Sequence, residues 1–335
     1  MTYVFIFTGE FGYELLNWNG VVRKWAQQHK QNGDTIVVCS RHGLESIYEM
    51  ADYYIDVSDI DAYKNSIADC YCSFVRDGNG KIDRHGYHET AILETIKATI
   101  DEAGFKDVRY IYSPVLNVLN GCVFGRGGIY GPEREVMGQL DVTNNKYTKF
   151  LPKDELYADI ESKLGFTLDT PFVLCQRGSR DIVRRDKVRL EVDDFISSIS
   201  KKYPVVCLSF GTSKKLDSSS TFDDTQMDNV YYYNTDSLEE QACLITKSHR
   251  CIFFSEGDFR SHMYVPPFYG KSVTAVATYD VFHNISAFPG RSNAPVKFWN
   301  EHVWPFSRGI EPLYYEDLIR DHDHGYQNIL NTLGL

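Results

Sequence analysis

The strongest constraint on this chain is the order in which its apolar runs change period. Residues 3–7 form a short strand-type run, followed by Thr8-Gly-Glu-Phe-Gly12 and a helical pattern through His29. Within that pattern Leu15, Leu16, Trp18, Val21, Val22 and Trp25 recur at steps of three and four, which marks one buried helix face. Asn32-Gly33-Asp34 ends it, residues 35–39 read as the next strand, a helix-like stretch follows, and residues 53–57 read as a third strand. Residues 88–103 form an amphipathic helix stopped by Gly104, and 108–111 a further strand. Strands separated by helices need crossover connections, so the pattern predicts a mostly parallel sheet covered on both faces.

The alternation breaks over residues 113–150, which carry Gly121, Gly125, Gly127, Gly128, Gly131 and Gly138 with little periodicity. A helix at 152–164 has acidic residues near its start, as the helix dipole favours. A second alternation then begins with strands at 172–175, 205–210, 230–233, 251–254 and 273–277. Helices at 192–201 and 237–246 and one within 259–269 lie between them, and the tail over 316–333 reads as a final helix. The expected fold class is α/β, with two Rossmann-like doubly wound parallel sheets facing a cleft. The expected domains are 1–150 and 151–315, with a C-terminal helix over 316–335 placed to pack back on the first domain.

Composition enters as a filter. A length of 335 residues suits two domains, and 43% apolar residues with 20 Phe and 23 Tyr supply ample core, which excludes intrinsic disorder. A net charge of −11 argues against general nucleic-acid binding. The apolar runs fall far short of the ~20 residues of a membrane-spanning helix, and the N-terminus has no basic leader, so a cytoplasmic chain is expected. Of the eight cysteines, Cys39, Cys175, Cys207 and Cys251 lie in or beside strand-like runs, and only Cys70-Tyr-Cys72 is a close pair. Reduced, structural thiols are expected, and no metal site.

Ligands of open parallel sheets bind outside the carboxyl ends of strands, and three loops there have unusual composition. In the first, Gly9 and Gly12 allow a tight turn, while Glu10 and Glu14 stand at a helix N-terminus, either as capping carboxylates or with one as a general base. It lacks the Gly-x-Gly-x-x-Gly dinucleotide fingerprint, so no nicotinamide cofactor is expected. The second runs from Gln176 to Arg189 and holds Arg177, Arg180, Arg184, Arg185, Lys187 and Arg189, offset only by Asp181 and Asp186. Guanidinium groups take phosphate oxygens bidentately, and Arg177 and Arg180 stand nearest the strand. The third, Ser255-Glu256-Gly257-Asp258, precedes a helix carrying His262, where free backbone N–H groups can receive phosphate.

Gly257-Asp258, His262 and then Gly270-Lys-Ser-Val-Thr-Ala-Val276 resemble the nucleotide-sugar loop of heptosyltransferase-like glycosyltransferases of the GT-B fold. The run Gly9-Glu-Phe-Gly-Tyr-Glu-Leu-Leu16 is similar to their first loop, which carries the catalytic acid. There the acidic residue follows the glycine directly, whereas here Tyr13 precedes Glu14, so the role falls to Glu10 or Glu14. Arg177-Gly-Ser-Arg180 is similar to the arginine loop of fucosyltransferases that use a guanosine diphosphate sugar. The resemblance implies transfer of a sugar from a nucleotide-diphosphate donor to a glycan or other hydroxyl acceptor; with arginines supplying the positive charge no divalent metal is expected, and direct attack of this kind inverts the anomeric centre. Arg177, Arg180, Ser255, Glu256, Gly257, Asp258 and His262 would bind the donor, and the loop of Gly9 and Gly12 the acceptor. A sugar-nucleotide epimerase and a non-catalytic nucleotide-sugar or phosphoglycan binder are the rival readings.

Overall fold

A computed structural model of the chain describes residues 1–7, 11, 14–60, 75–76, 82–83, 87–112, 149–178, 192–210, 222, 227–235, 237–255, 261–278, 306–315, 317, 330–331 and 334. The chain divides into two compact units, Met1–Tyr147 and Thr148–Leu335.

The first unit is built on β1 (Thr2–Ile6), β2 (Thr35–Ser40), β3 (Tyr53–Asp56) and β6 (Val108–Tyr112), all parallel in the order β3-β2-β1-β6. A separate antiparallel pair joins β4 (Val75–Arg76) to β5 (Ile82–Asp83). Every residue of β1 is buried, because both faces of the sheet are covered. On one face Val4, Ile6, Val37 and Cys39 pack with Ile96 and Ile100 of α2 (Tyr87–Glu102). On the other, Phe5 meets Trp18 and Trp25 edge-on, with ring centroids 6.1 and 6.0 Å away. Trp25 belongs to α1 (Asn19–His29), which is entered through a π-helical turn, Glu14–Trp18. The chain steps outward from β1 to β2 and β3 and then returns to the far side of β1 for β6. Right-handed crossovers in opposite directions put their helices on opposite faces, which is where α1 and α2 lie.

The second unit repeats the plan with six parallel strands in the order β12-β11-β10-β7-β8-β9. These are β7 (Val173–Gly178), β8 (Val205–Phe210), β9 (Val230–Thr235), β10 (Arg250–Ser255), β11 (Val273–Ala277) and β12 (Ile310–Tyr314). A short 3-10 turn and α3 (Tyr157–Leu164) lead into the sheet. Val173, Cys175, Cys207, Ile252 and Phe254 form one face and pack under Phe195, Ile196 and Ile199 of α4 (Val192–Ser200). The crossover from β9 to β10 runs in the reverse direction, so α5 (Leu238–Lys247) covers the opposite face, where it touches α6 (Val265–Phe268). Ser237 caps α5 by accepting the Glu240 N–H at 3.3 Å, which satisfies one of the donors a helix start leaves open. Each fully buried Ile or Phe in these layers is worth about 1.5–3 kcal/mol.

Several expectations needed correction. β7 extends through Gly178, because Gln176 and Arg177 pair in the ladder with β10 opposite Phe253 and Phe254. Arg177 is thus a strand residue, not a loop residue. β12 is a strand that the pattern did not predict; Pro312 interrupts its apolar run, and the edge position tolerates the missing N–H. The helix-like stretch before β3 is a single 3-10 turn, Glu45–Tyr48. The expected helix within 259–269 is a 3-10 turn, Ser261–Tyr264, followed by α6. Most of 113–150 and of the tail from 316 lies outside the described residues. Among the described residues Cys39, Cys175, Cys207, Cys243 and Cys251 are buried free thiols.

Candidate functional site

Each sheet has one point where the strand order reverses. In the first unit it lies between β1 and β6, in the second between β7 and β10. In parallel sheets the crevice outside the carboxyl ends of such a strand pair is the usual ligand position.

In the second unit that edge is formed by Arg177 and Gly178 at the end of β7 and by Ser255, fully buried, at the end of β10. Gly178 and Ser255 are direct register partners. Side chains alternate along a strand, so Arg177 shares the α4 face with Cys175 and Phe254, whereas Gln176 and Ser255 share the α5 face with Phe253. Arg177 is half-buried. His262, also half-buried, is the second residue of the 3-10 turn between β10 and β11. Gln176, which sequence reasoning did not single out, is 4% exposed, and its Oε1 makes no hydrogen bond. Arg180, Glu256, Gly257 and Asp258 lie outside the described residues.

In the first unit the structure brings together a group that sequence reasoning found only in part. Glu14 opens the π-helical turn and is fully buried. Its Oε1 accepts hydrogen bonds from Ser40 Oγ, at the end of β2, and from Tyr48 OH at 2.8 Å. Its Oε2 makes no hydrogen bond and faces Arg41 Nε at 3.7 Å. The Arg41 carbonyl accepts from Tyr54 OH. Burial pushes the Glu14 carboxyl above the usual carboxylate range, while Arg41, Ser40 and Tyr48 pull it back. Burial, with the neighbouring Glu14 carboxylate, also pushes the Tyr48 and Tyr54 hydroxyls well up.

A second layer fixes the segment after β2. Asn19 Nδ2 donates to the Ile47 carbonyl, and Arg23 bridges Asn19 Oδ1 at 2.9 Å, the Ile47 carbonyl at 3.1 Å and the Glu49 carboxylate at 2.7 Å. Ser40, Arg41 and Tyr48 were missed because their partner stands 26 to 34 positions away. The polar string Ser40-Arg41-His42 directly after an apolar strand was the signal that could have found them. Gly9, Glu10 and Gly12 lie outside the described residues. Among the described residues no three His, Cys, Asp or Glu side chains are grouped to hold a metal ion, and no helix is long and apolar enough to cross a membrane.

No protein-family model and no curated protein matches the sequence. Solved structures do. A glycosyl transferase family 9 protein from Veillonella parvula superposes with a TM-score of 0.52 at 12% identity, covering 98% of this chain and 89% of that one. The E. coli ADP-heptose LPS heptosyltransferase II gives 0.49 at 8% identity, covering 98% and 99%, and E. coli heptosyltransferase WaaC with ADP gives 0.47 at 11%, covering 97% and 100%. The first of these shows that, over nearly its whole length, this chain has an α/β fold similar to that of a family 9 glycosyl transferase.

Proposed function

We propose that the protein is a glycosyltransferase that moves a sugar from a nucleotide-diphosphate donor to an acceptor hydroxyl, without a metal and with inversion. The observation that carries the reading is the placement of Arg177, Gly178 and Ser255 at the carboxyl edge of the β7–β10 switch point. Gly178 lets a diphosphate approach the backbone, and Arg177 supplies a guanidinium beside it, with Arg180 following in the chain. Ser255 and the Glu256-Gly257-Asp258 loop would receive phosphate or ribose, and His262 would donate to a phosphate oxygen.

In the reaction the acceptor oxygen bonds to the anomeric carbon while the bond from that carbon to the diphosphate oxygen breaks. The nucleoside diphosphate leaves with the electron pair. Its growing negative charge makes arginine contacts strongest at the transition state, so cations of the chain serve where other enzymes use a divalent ion. The acceptor proton goes to a carboxylate. Glu14 is sealed from solvent and already engaged by Ser40 and Tyr48, so we assign the base to Glu10.

The test is a thermal-shift panel of uridine, guanosine, adenosine and cytidine diphosphates with and without magnesium. A ligand bound only by the native state at about a hundred times its Kd adds ~2.7 kcal/mol. One base is expected to shift the melting temperature without magnesium, and Arg177→Ala to weaken that binding about 10- to 100-fold. Unchanged affinity in a folded Arg177→Ala protein would overturn the assignment. Epimer formation from the donor alone would redirect it to epimerase chemistry.

A further inference from the structure

We propose that Phe150 is a positioning residue for His262: it pins the far end of the turn that carries the imidazole, and so sets how well the second unit grips a nucleoside diphosphate. The ligand in that statement rests on the proposed transfer; the mechanical link from Phe150 to His262 does not.

α6 is too short to hold itself in place. It has four residues, Val265-Pro-Pro-Phe268, and an isolated helix of that length is unstable in water. Packing therefore fixes it: all four residues are buried. The 3-10 turn Ser261–Tyr264 runs into α6 without a break, and its second residue is His262. The two prolines lock their φ angles and stiffen the join. Turn and helix thus form one block, with His262 near one end and Phe268 at the other.

Phe150 holds the Phe268 end in two ways. Its ring stacks on that of Phe268, with 8° between the planes and 5.1 Å between centroids, and meets Tyr269 edge-on at 5.7 Å. Its backbone N–H donates to the Phe268 carbonyl at 2.8 Å, one of the acceptors that a helix C-terminus leaves open. Phe150 and Phe268 are both sealed from solvent. Three residues on, the Lys153 carbonyl accepts from Cys243 Sγ, which ties the same segment to α5. Phe150 is also the third residue of the second unit, which begins at Thr148. The chain entering that unit is thus fastened to the block that carries His262. From Phe268 back to His262 is six residues, about 10 Å at the rise of such helices. On that lever a tilt of about 6° moves the imidazole by ~1 Å, and a misplacement of that size costs up to about 100-fold. Removing the Phe150 ring leaves a gap that its neighbours fill only in part, and the block tilts into it.

The experiment compares full-length wild type with Phe150→Leu, Phe150→Ala and His262→Gln, at a temperature where each is folded. Phe150→Leu keeps an apolar side chain, so it remains informative if Phe150→Ala does not fold. The first reading is the NMR signal of the His262 imidazole in the ligand-free protein, identified by its loss in His262→Gln. The second is calorimetric affinity for uridine, guanosine, adenosine and cytidine diphosphates as separate probes. In both Phe150 variants the His262 signal is expected to shift while that of His29, in the first unit, stays. Affinity for the preferred diphosphate should fall about 10-fold or more, as in His262→Gln. A role in stability alone would lower the melting temperature and leave both readings unchanged, which would overturn the proposal. A His262 signal that shifts with no loss of affinity would overturn it too. A signal that shifts in a protein binding none of the four diphosphates would uphold the link from Phe150 to His262 and refute the donor reading.

Discussion

Tyr48→Phe removes one hydroxyl from a buried site and reports on the charge of Glu14. The Tyr48 hydroxyl donates to Glu14 Oε1 at 2.8 Å, and Tyr48 is 2% exposed, so no water replaces the lost donor without rearrangement. A hydrogen bond to a charged acceptor is worth about 1.5–3 kcal/mol and one to a neutral acceptor about 0.5–1.5 kcal/mol. Burial raises the Glu14 carboxyl above its ordinary value of 4.5, so the folded state binds that proton more tightly than the unfolded chain. Stability from this group is therefore fully present below the unfolded value and is lost as pH rises through the folded one. Removing a donor to the ionised carboxylate deepens that loss. The cost of Tyr48→Phe should then lie near 1 kcal/mol in acid and grow to about 2–3 kcal/mol at a pH above the folded value. Urea unfolding read by tryptophan fluorescence suits the measurement, since Trp18 and Trp25 are buried in the first unit. In a Glu14→Gln background the pH dependence of the cost should disappear. A cost that does not change with pH, or a coupling energy in the double-mutant cycle below about 0.5 kcal/mol, would refute the reasoning.

Three further outcomes are expected. Ser237→Ala should lower stability by about 1 kcal/mol, with Ser237→Asp restoring it, because the side chain caps α5; denaturant unfolding measures both. Gly270→Ala should cost about 1–2 kcal/mol in the same measurement, since φ is +77° and the strain of that conformation outweighs contact with the movable end of the Lys149 side chain. Ellman's reagent on the folded protein at pH 8 should find no more than three of the eight cysteines. The five described thiols are enclosed, with burial pushing Cys39 up to about 12 and Cys251 up to about 11, and should react only on unfolding.

The alternation of strands and helices was legible because both faces of these sheets are covered, which turns strands such as β1 and β10 into unbroken apolar runs. What failed was decided by pairing rather than by pattern. Gln176-Arg177-Gly178 looks like a loop, yet the ladder with β10 keeps it extended to the sheet edge. β12 carries Glu311 and Pro312, and only its place beside β11 makes it a strand. Glu14 in a glycine-rich context reads as a helix-capping carboxylate or a general base. Its enclosure depends on Ser40, Arg41 and Tyr48, which the chain delivers only after β2 has formed beside β1. Local propensity has no access to such contacts.

The extra length of β7 also bears on how the proposed donor site would work. Were Arg177 in a loop, it could turn toward a ligand from any side; as a ladder residue it is committed to the α4 face. Ser255 on the neighbouring strand is committed to the α5 face, and His262 follows it in the turn that leads into α6. Between them lies the Gly178–Ser255 register pair, where one partner has no side chain. A phosphate seated over that pair would meet a guanidinium from one face and the β10 loop from the other, so its two sides would be held by elements on opposite layers of the same sheet. Replacing Gly178 would then put a methyl group on the α5 face beside Ser255, in the path of the ligand. Gly178→Ala is accordingly expected to reduce nucleoside diphosphate affinity at least 10-fold, measured by calorimetry on the folded variant. Full affinity in that variant would mean the ligand sits elsewhere, since a methyl group at the closest point of approach cannot be ignored by a bound diphosphate.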